Sequence, residues 1–319
     1  MKLFSFSKTN VKEIDQKPFK LEKDIQGIIE NNIGTFFNLL FIQSEFSVDK
    51  YRIDTLCFDE ENNSFVIIEY KKGSSYSVID QGYTYLQLLL NNKSEFLLVL
   101  SQHFNKVLSK QDIDWSLSKI IFVSPSFNSY QKDSVNFKDL PFELWEIKRY
   151  NNDTIVLNEH KSNSQESIDA LSNSKKNNVI SNVSKEVKVI TEDQHVNKSN
   201  ESIQQVWLEM KDKLLSINDI DIIPKRNYIS AMLNNKTLSY FIFRKNNIII
   251  ELVRGTVSPD GTKSKKYFDI DDPKGFSKES SWEWKSGSKG TIYQIKVDKN
   301  SDVDYLMFLI KQKHKNLTL

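Results

Sequence analysis

Two carboxylates and an ammonium stand at the ends of two apolar runs: Asp54 in Arg52-Ile53-Asp54-Thr55-Leu56, and Glu69-Tyr70-Lys71 after Phe65-Val66-Ile67-Ile68. Both runs are rich in β-branched and aromatic residues, and Asp59-Glu60-Glu61-Asn62-Asn63-Ser64 between them is turn material, so together they read as a β-hairpin. Centring the hairpin on that turn pairs Phe58 with Phe65, Leu56 with Ile67, Asp54 with Glu69 and Arg52 with Lys71. Strand alternation puts Glu69 and Lys71 on one face. In this register the Asp54 and Glu69 Cβ atoms are about 5 Å apart, close enough to share one hard cation. Mg²⁺ or Mn²⁺ held there keeps waters and accepts phosphate oxygens. An ion so held neutralises a phosphodiester and acidifies a water. Lys71 can orient that water or hold the scissile phosphate, since the ion's charge readily moves its pKa. Tyr70, between them, is a third candidate ligand.

A Glu-x-Lys alone is common on exposed hairpin edges. Here Glu69 follows a continuous apolar run and Asp54 sits in Ile-Asp-Thr-Leu. Both settings favour burial, where an unpaired carboxylate is costly, and that favours a metal site over a surface ion pair.

Two helices must flank this hairpin. Leu21, Ile25, Ile28, Ile29 and Ile33 recur at helical spacing and predict a helix from Phe19 to Asn32, with Glu22 and Gln26 one turn apart at the edge of the stripe. A second helix opens at Ser77-x-x-Asp80, a capping-box pattern, and runs through Leu90. Its Gln81 and Tyr85 lie one turn apart beyond the Glu69-x-Lys71 strand, within reach of a phosphate or its attacking water, and Lys72 is a basic neighbour of the site. Glu22 can also be read as a solvated first-turn acid, and Tyr85 as core.

Asp54, then Glu69-x-Lys71 on the next strand, between an acidic helix and a helix bearing Gln81, resembles the PD-(D/E)XK nuclease superfamily. More narrowly, Leu21-Glu22-Lys23-Asp24-Ile25-Gln26, Arg-Ile-Asp-Thr-Leu, Ile68-Glu69-Tyr70-Lys71 and Asp80-Gln81-Gly82-x-x-Tyr85-Leu86 resemble a bacterial family with this nuclease-like domain and a small C-terminal domain, some members of which are labelled predicted transport proteins. Ile53 stands where the superfamily name has proline. The resemblance implies a restriction-endonuclease-like α/β fold, a mixed sheet flanked by helices, and a Mg²⁺- or Mn²⁺-dependent endonuclease acting on DNA. Asp54, Glu69 and Lys71 would be its catalytic core, and restriction or antiphage defence its setting. It implies that Glu22 supports the metal or its water, with Glu30 a second candidate. Gln81 would be functional by the same resemblance. A binding module that keeps the fold without cutting, or a subunit of a larger defence complex, are the alternatives; a homodimer is an open arrangement.

At 319 residues the chain has room for two modest cores. No apolar stretch approaches the length of a membrane span and the first residues lack a signal peptide's core, so a cytoplasmic protein is expected and a transport role has no support. Cys57 alone excludes an intrachain disulfide. His103, His160, His195 and His314 are scattered, which leaves zinc chemistry and a histidine triad without a basis. Net charge is +2, so no overall basic bias marks a tight nonspecific nucleic-acid binder; Lys148-Arg149 and Lys263-Ser264-Lys265-Lys266 read as solvated.

Further along, Phe96 to Leu100 and Lys119 to Val123 read as buried strands, and Phe142 to Ile147 with Thr154 to Leu157 as a closing pair around Asn151-Asn152. Residues 1–157 thus form the nuclease-like domain. Residues 158–201, rich in Ser, Asn, Lys and acids, read as a flexible linker. Residues 202–319 form a small α+β domain for recognition or oligomerisation. It comprises a helix through Ile203, Trp207, Met210 and Leu214, a hairpin of 238–243 with 248–253, a strand over 291–297, and a last helix starting at Ser301-x-x-Asp304. Trp282 and Trp284 in that domain are either base-stacking rings or strand-edge packing, the second being favoured.

Overall fold

Apolar runs between residues 40 and 160 condense into one six-stranded mixed sheet, in a computed structural model that describes residues 2–318 except 73–76, 138, 163, 165, 167–177, 235, 259, 260, 265 and 284–288. The chain divides into two units, Met1–Val189 and Ile190–Leu319. The first carries β1 (Leu3–Ser7), β2 (Asn10–Ile14), α1 (Glu22–Glu30), α2 (Ile33–Phe37), β3 (Leu40–Val48), β4 (Tyr51–Asp59) and β5 (Ser64–Tyr70). It continues with α3 (Val78–Asn91), α4 (Lys93–His103), β6 (Lys119–Ser124), α5 (Ser129–Ser134), β7 (Phe142–Arg149), β8 (Ile155–His160) and α6 (Asn178–Glu186).

The sheet order is β3-β4-β5-β6-β7-β8. β3, β4 and β5 are antiparallel neighbours, β6 runs parallel to β5 and β7, and β8 closes the sheet antiparallel to β7. Every residue of β5 is buried, because helices cover both faces. Phe65 and Ile67 meet Leu86, Leu89, Phe96 and Leu100 of α3 and α4 on one side. Val66 and Ile68 meet Ile25 and Ile29 of α1, together with Ile33, on the other. Each such side chain contributes about 1.5–3 kcal/mol on burial, so the two helix layers fix where β5 ends. Ser77 caps α3 by accepting from the Asp80 N–H.

The second unit is an antiparallel sheet with helices packed on it. It holds α7 (Glu192–Val196), α8 (Glu201–Leu215), β9 (Ile220–Pro224), β10 (Ile229–Leu233), β11 (Lys236–Arg244), β12 (Asn247–Thr256), β13 (Ser277–Glu283), β14 (Lys289–Val297) and α9 (Val303–Thr318). Its sheet, ordered β13-β14-β12-β11-β10-β9, is antiparallel throughout. Trp207 of α8 packs edge-on against Phe241 and Phe243 of β11 at 4.9 and 5.2 Å, and Leu306, Leu309 and Ile310 of α9 complete that core. Among the described residues no helix is long and apolar enough to cross a membrane.

Three local expectations change, and the favoured reading of Trp282 holds. Phe96 to Leu100 lies in α4, not in a strand: an apolar run that short carries no period of its own, and polar Lys93-Ser94-Glu95 and Ser101-Gln102-His103 extend it into a helix. The stretch 158–201 contains α6 and α7, and Val183 and Val187, one turn apart, are buried in the first unit's core. Only part of it, 163, 165 and 167–177 with Ser172 to Asn177, lies outside the described residues. α9 is capped by Asp302, which accepts from the Tyr305 N–H, rather than by Ser301. Trp282 is half-buried with its indole over Gly290, where a Cβ would sit 2.5 Å from the ring, which is strand packing; Trp284 and Lys265 lie outside the described residues.

Candidate active site

The expected hairpin register holds where the strands pair: Phe58 faces Phe65, Leu56 faces Ile67, and the ladder ends at Thr55 with Ile68. There β4 and β5 part. β4 stays with β3, through Phe46 with Ile53 and Ser47 with Arg52, while β5 stays with β6, through the Lys71 N–H to the Val123 carbonyl at 2.9 Å. Asp54 and Glu69 therefore stand on the two prongs of a fork. Asp54 bridges it, its Oδ2 accepting from the Tyr70 N–H at 3.0 Å. Arg52 does not stand across from Lys71 as expected; it pairs with Glu45 at 2.8 Å because its strand has turned toward β3.

Glu69 is only 4% exposed, so every contact of its carboxylate matters. Oε1 accepts from Lys71 Nζ and from Gln81 Nε2, each at 2.8 Å. Oε2 is buried without a hydrogen bond of ordinary geometry, although the Tyr85 hydroxyl lies against the same carboxyl. Burial, and then the Asp54 charge, push the Glu69 carboxyl up; Lys71 opposes them. Burial likewise lifts Asp54, against the pull of the Tyr70 amide and Lys71, with Glu45 and Glu22 adding to the rise. Burial also raises the Tyr85 phenol, so it stays protonated. Gln81 links the set, donating to Glu69 and lying 3.3 Å from the Tyr85 hydroxyl, which is itself 3.5 Å from the Arg52 carbonyl.

The other expected residues fall around this fork. Glu22, first in α1, accepts from the Lys72 N–H at 2.8 Å, so it closes the end of β5 from the opposite layer. Lys72 is exposed, and its Nζ donates back to the Lys20 carbonyl. The Tyr70 phenol faces the α1 layer, away from Glu69, and is buried at 3.0 Å from Thr55 Oγ1. What Tyr70 presents to the acids is its main-chain amide. Thr55 in turn donates to Glu30 at 2.6 Å, so Glu30 belongs to this rear network and not to the fork.

Two residues carry more than the sequence disclosed. Glu45, at φ +52°, takes the left-handed conformation inside β3, level with Asp54 between the pairs Ser44 with Thr55 and Phe46 with Ile53. Counting back from the Asp49-Lys50 turn would have placed it there. Gln26 is buried on α1, and its Nε2 lies 3.0 Å from Glu30 Oε1, 3.2 Å from Ser44 Oγ, 3.2 Å from Glu45 Oε1 and 3.1 Å from the Asp54 carbonyl. An amide nitrogen has two hydrogens for these four acceptors, so it cross-links helix, β3 and β4 at the peptide that carries Asp54.

Among the described residues no three His, Cys, Asp or Glu side chains gather as a metal cage. Mg²⁺ does not need one: it binds through one or two carboxylates and fills its remaining positions with water and substrate phosphate. A buried and a half-buried acid, both held above their ordinary pKa and one with an oxygen lacking a hydrogen bond of ordinary geometry, fit such an ion, since a cation offsets both their repulsion and the lost hydration.

A Haemophilus influenzae protein described only as uncharacterised is 39% identical to this chain over 321 residues, covering 99% of this chain and 100% of that one. The chain belongs to that protein's family. No family model matches it. Two solved structures align with part of it: an EndoMS–dsDNA complex, 17% identical over 41% of this chain and 48% of that one with a TM-score of 0.22, and a repair endonuclease from Pyrococcus abyssi, 16% identical over 37% and 44% with a TM-score of 0.21. Each alignment spans less than half of the other protein, and scores that low carry no argument. The family's site is thus read from its own geometry.

Proposed function

We propose that this chain is a Mg²⁺-dependent nuclease that hydrolyses phosphodiester bonds in DNA. The observation that carries the reading is the Glu69 carboxylate: buried, beside Asp54, with one oxygen taken by Lys71 and Gln81 and the other lacking a hydrogen bond of ordinary geometry. Charge is retained at that depth only where something repays the lost hydration. Asp54 and Glu69 would hold the ion, which when bound neutralises phosphate charge and lowers the pKa of water.

The rest falls to the chain's own groups. In hydrolysis the water oxygen bonds to phosphorus as the ester P–O bond breaks; water gives up one proton and the leaving oxygen takes one, which yields a phosphomonoester and a hydroxyl. Lys71, fixed on Glu69, is placed to orient the water and to balance charge on the phosphate. The Gln81 amide and the Tyr85 hydroxyl hold Glu69 in place from α3. Gln26 and the Tyr70 amide hold Asp54 from the other side. The superfamily resemblance supports this reading and alone supplies the setting of restriction or antiphage defence.

The test is cleavage of duplex, single-stranded and modified DNA by the purified chain with Mg²⁺, Mn²⁺ or EDTA. Cleavage should need the cation and disappear in Asp54→Ala and Lys71→Ala. Cleavage that persists in either variant overturns the assignment.

A further inference from the structure

The β1–β2 hairpin stands apart from both cores. It is a two-stranded sheet of its own, attached at its base where the Lys17 N–H reaches the Arg149 carbonyl, Gln16 bridges to Tyr150 and the Asn151 N–H reaches the Asp15 carbonyl. Its register pairs Phe4 with Glu13 and Phe6 with Val11, so Phe4, Phe6, Val11 and Glu13 share one face, while Lys12, paired with Ser5, stands on the other. That face is open: Phe4 is 49%, Phe6 73% and Val11 62% exposed. An isolated two-stranded ribbon is marginally stable in water, and aromatic rings left on one face gain nothing from folding unless something covers them.

Charge identifies the cover. Residues 1–20 hold Lys2, Lys8, Lys12, Lys17 and Lys20 against Glu13 and Asp15, a net +3, whereas the whole chain nets +2. The remaining residues therefore sum to −1, and the positive charge of this protein is concentrated on and beside the ribbon. Lys2 pairs with Glu13; Lys8, at the turn with φ +56°, and Lys12 make no ion pair among the described residues. The two rings stand two residues apart on one strand, about 6.6–6.8 Å along it. That is about twice the roughly 3.4 Å rise per nucleotide of a DNA strand, so a base fits between them. Neither ring contacts another aromatic ring among the described residues.

We propose that the β1–β2 ribbon is a landing surface for an unpaired DNA strand, with bases stacking on Phe4 and Phe6 and phosphates drawn by Lys8 at the turn and by Lys12 from the ribbon's other face. Stacking requires exposed base faces, which a closed duplex withholds. The inference rests on the nucleic-acid reading of the site and specifies the substrate's form: a strand that is single, or opened, near the cut.

Fluorescence anisotropy of a labelled twenty-nucleotide oligothymidine, with full-length Asp54→Ala protein in EDTA, isolates this binding from cleavage. Phe4→Leu with Phe6→Leu keeps strand propensity and apolar area but removes both π faces, and should weaken binding at least tenfold, the stacking of one or two bases. Phe4→Tyr with Phe6→Tyr should bind as the parent does. Lys8→Gln with Lys12→Gln should lower the salt slope by about 1.4, two phosphate contacts on a single strand. Equal affinity of the leucine and tyrosine pairs overturns the proposal, as does preference for duplex DNA or for oligouridine. A leucine pair that binds normally but shifts the sedimentation mass also overturns it, since the face then joins copies of the chain. If wild-type protein never cuts DNA while the ribbon behaves as stated, the nuclease reading fails and this one stands.

Discussion

Replacing Gly82 by alanine converts the packing of α3 into a measurement on the active site. A Cβ at Gly82 falls 2.6 Å from Phe142 Cζ and 2.7 Å from its Cε1. That ring is buried on β7 and cannot step aside, since Tyr83 and Phe122 meet it edge-on at 5.1 and 6.2 Å. To reach an ordinary contact of 3.4 Å, α3 must lift by about 0.8 Å. Gln81 is the adjacent residue, and its 2.8 Å bond to Glu69 then stretches to about 3.6 Å, which is no longer a hydrogen bond. Alanine gains about 1 kcal/mol in helix propensity and overpacking costs about 1–3, so the net loss of stability is about 0–2 kcal/mol. Misplacement on the order of 1 Å in a catalytic constellation costs about 100-fold in rate. Single-turnover cleavage should therefore drop far more than thermal melting does, and Phe142→Leu in the same chain, by making room, should recover most of the rate. Wild-type cleavage by Gly82→Ala, or no recovery in the double variant, refutes the coupling between α3 packing and Glu69.

Glu69→Gln should abolish cleavage while holding or raising the melting temperature of metal-free protein at neutral pH. The folded carboxyl is lifted mainly by burial and then by Asp54, so metal-free stability falls as pH climbs from the unfolded value of about 4.3 through the raised folded one; the variant should flatten that fall, and calorimetry at several pH values reads it. Gln26→Leu leaves carboxylates and the Asp54 carbonyl short of a donor, and should cost about 1–3 kcal/mol together with a fall in kcat at unchanged KM, measured by denaturant titration and steady-state kinetics. In the second unit, burial pushes the Lys313 ammonium, which sits 5.1 Å over the Phe268 ring, down to about 8. Stability should rise between about pH 8 and the unfolded value near 10.4 and carry the full penalty below 8, so Lys313→Met should raise the melting temperature at pH 7 and remove that slope.

The acid pair was legible because the apolar partners Leu56, Phe58, Phe65 and Ile67 flank one short polar turn and permit one register. The fork was not. It arises where β4 follows β3 and β5 follows β6, a competition between non-local partners that no window of sequence contains. Glu45 was within reach, because pairing outward from Asp49-Lys50 sets it level with Asp54; its left-handed backbone was not, since non-glycine residues rarely adopt it. Gln26 looked like the edge of an apolar stripe, and only tertiary packing shows four acceptors around its amide. α4 was misread because Phe-Leu-Leu-Val-Leu suits a buried strand or a buried helix equally. In 158–201 the composition suited a linker, but Val183 and Val187 are enough to hold one short helix on the core.

The bond between Asp54 and Tyr70 runs from a carboxylate to a main-chain N–H, so the anchoring of that acid is indifferent to the side chain at position 70. Successive residues of β5 consequently answer to different demands. Glu69 and Lys71 would carry the proposed reaction, while the Tyr70 phenol, tied to Thr55 and through it to Glu30, carries the register of strand and helix. A descendant of this chain could lose its acids to neutral residues and keep an undisturbed sheet, or drift in the rear network and keep its chemistry. If the proposed reaction holds, relatives that lack it should be invisible to any measure of fold, and be told apart only by reading alternate positions along one strand.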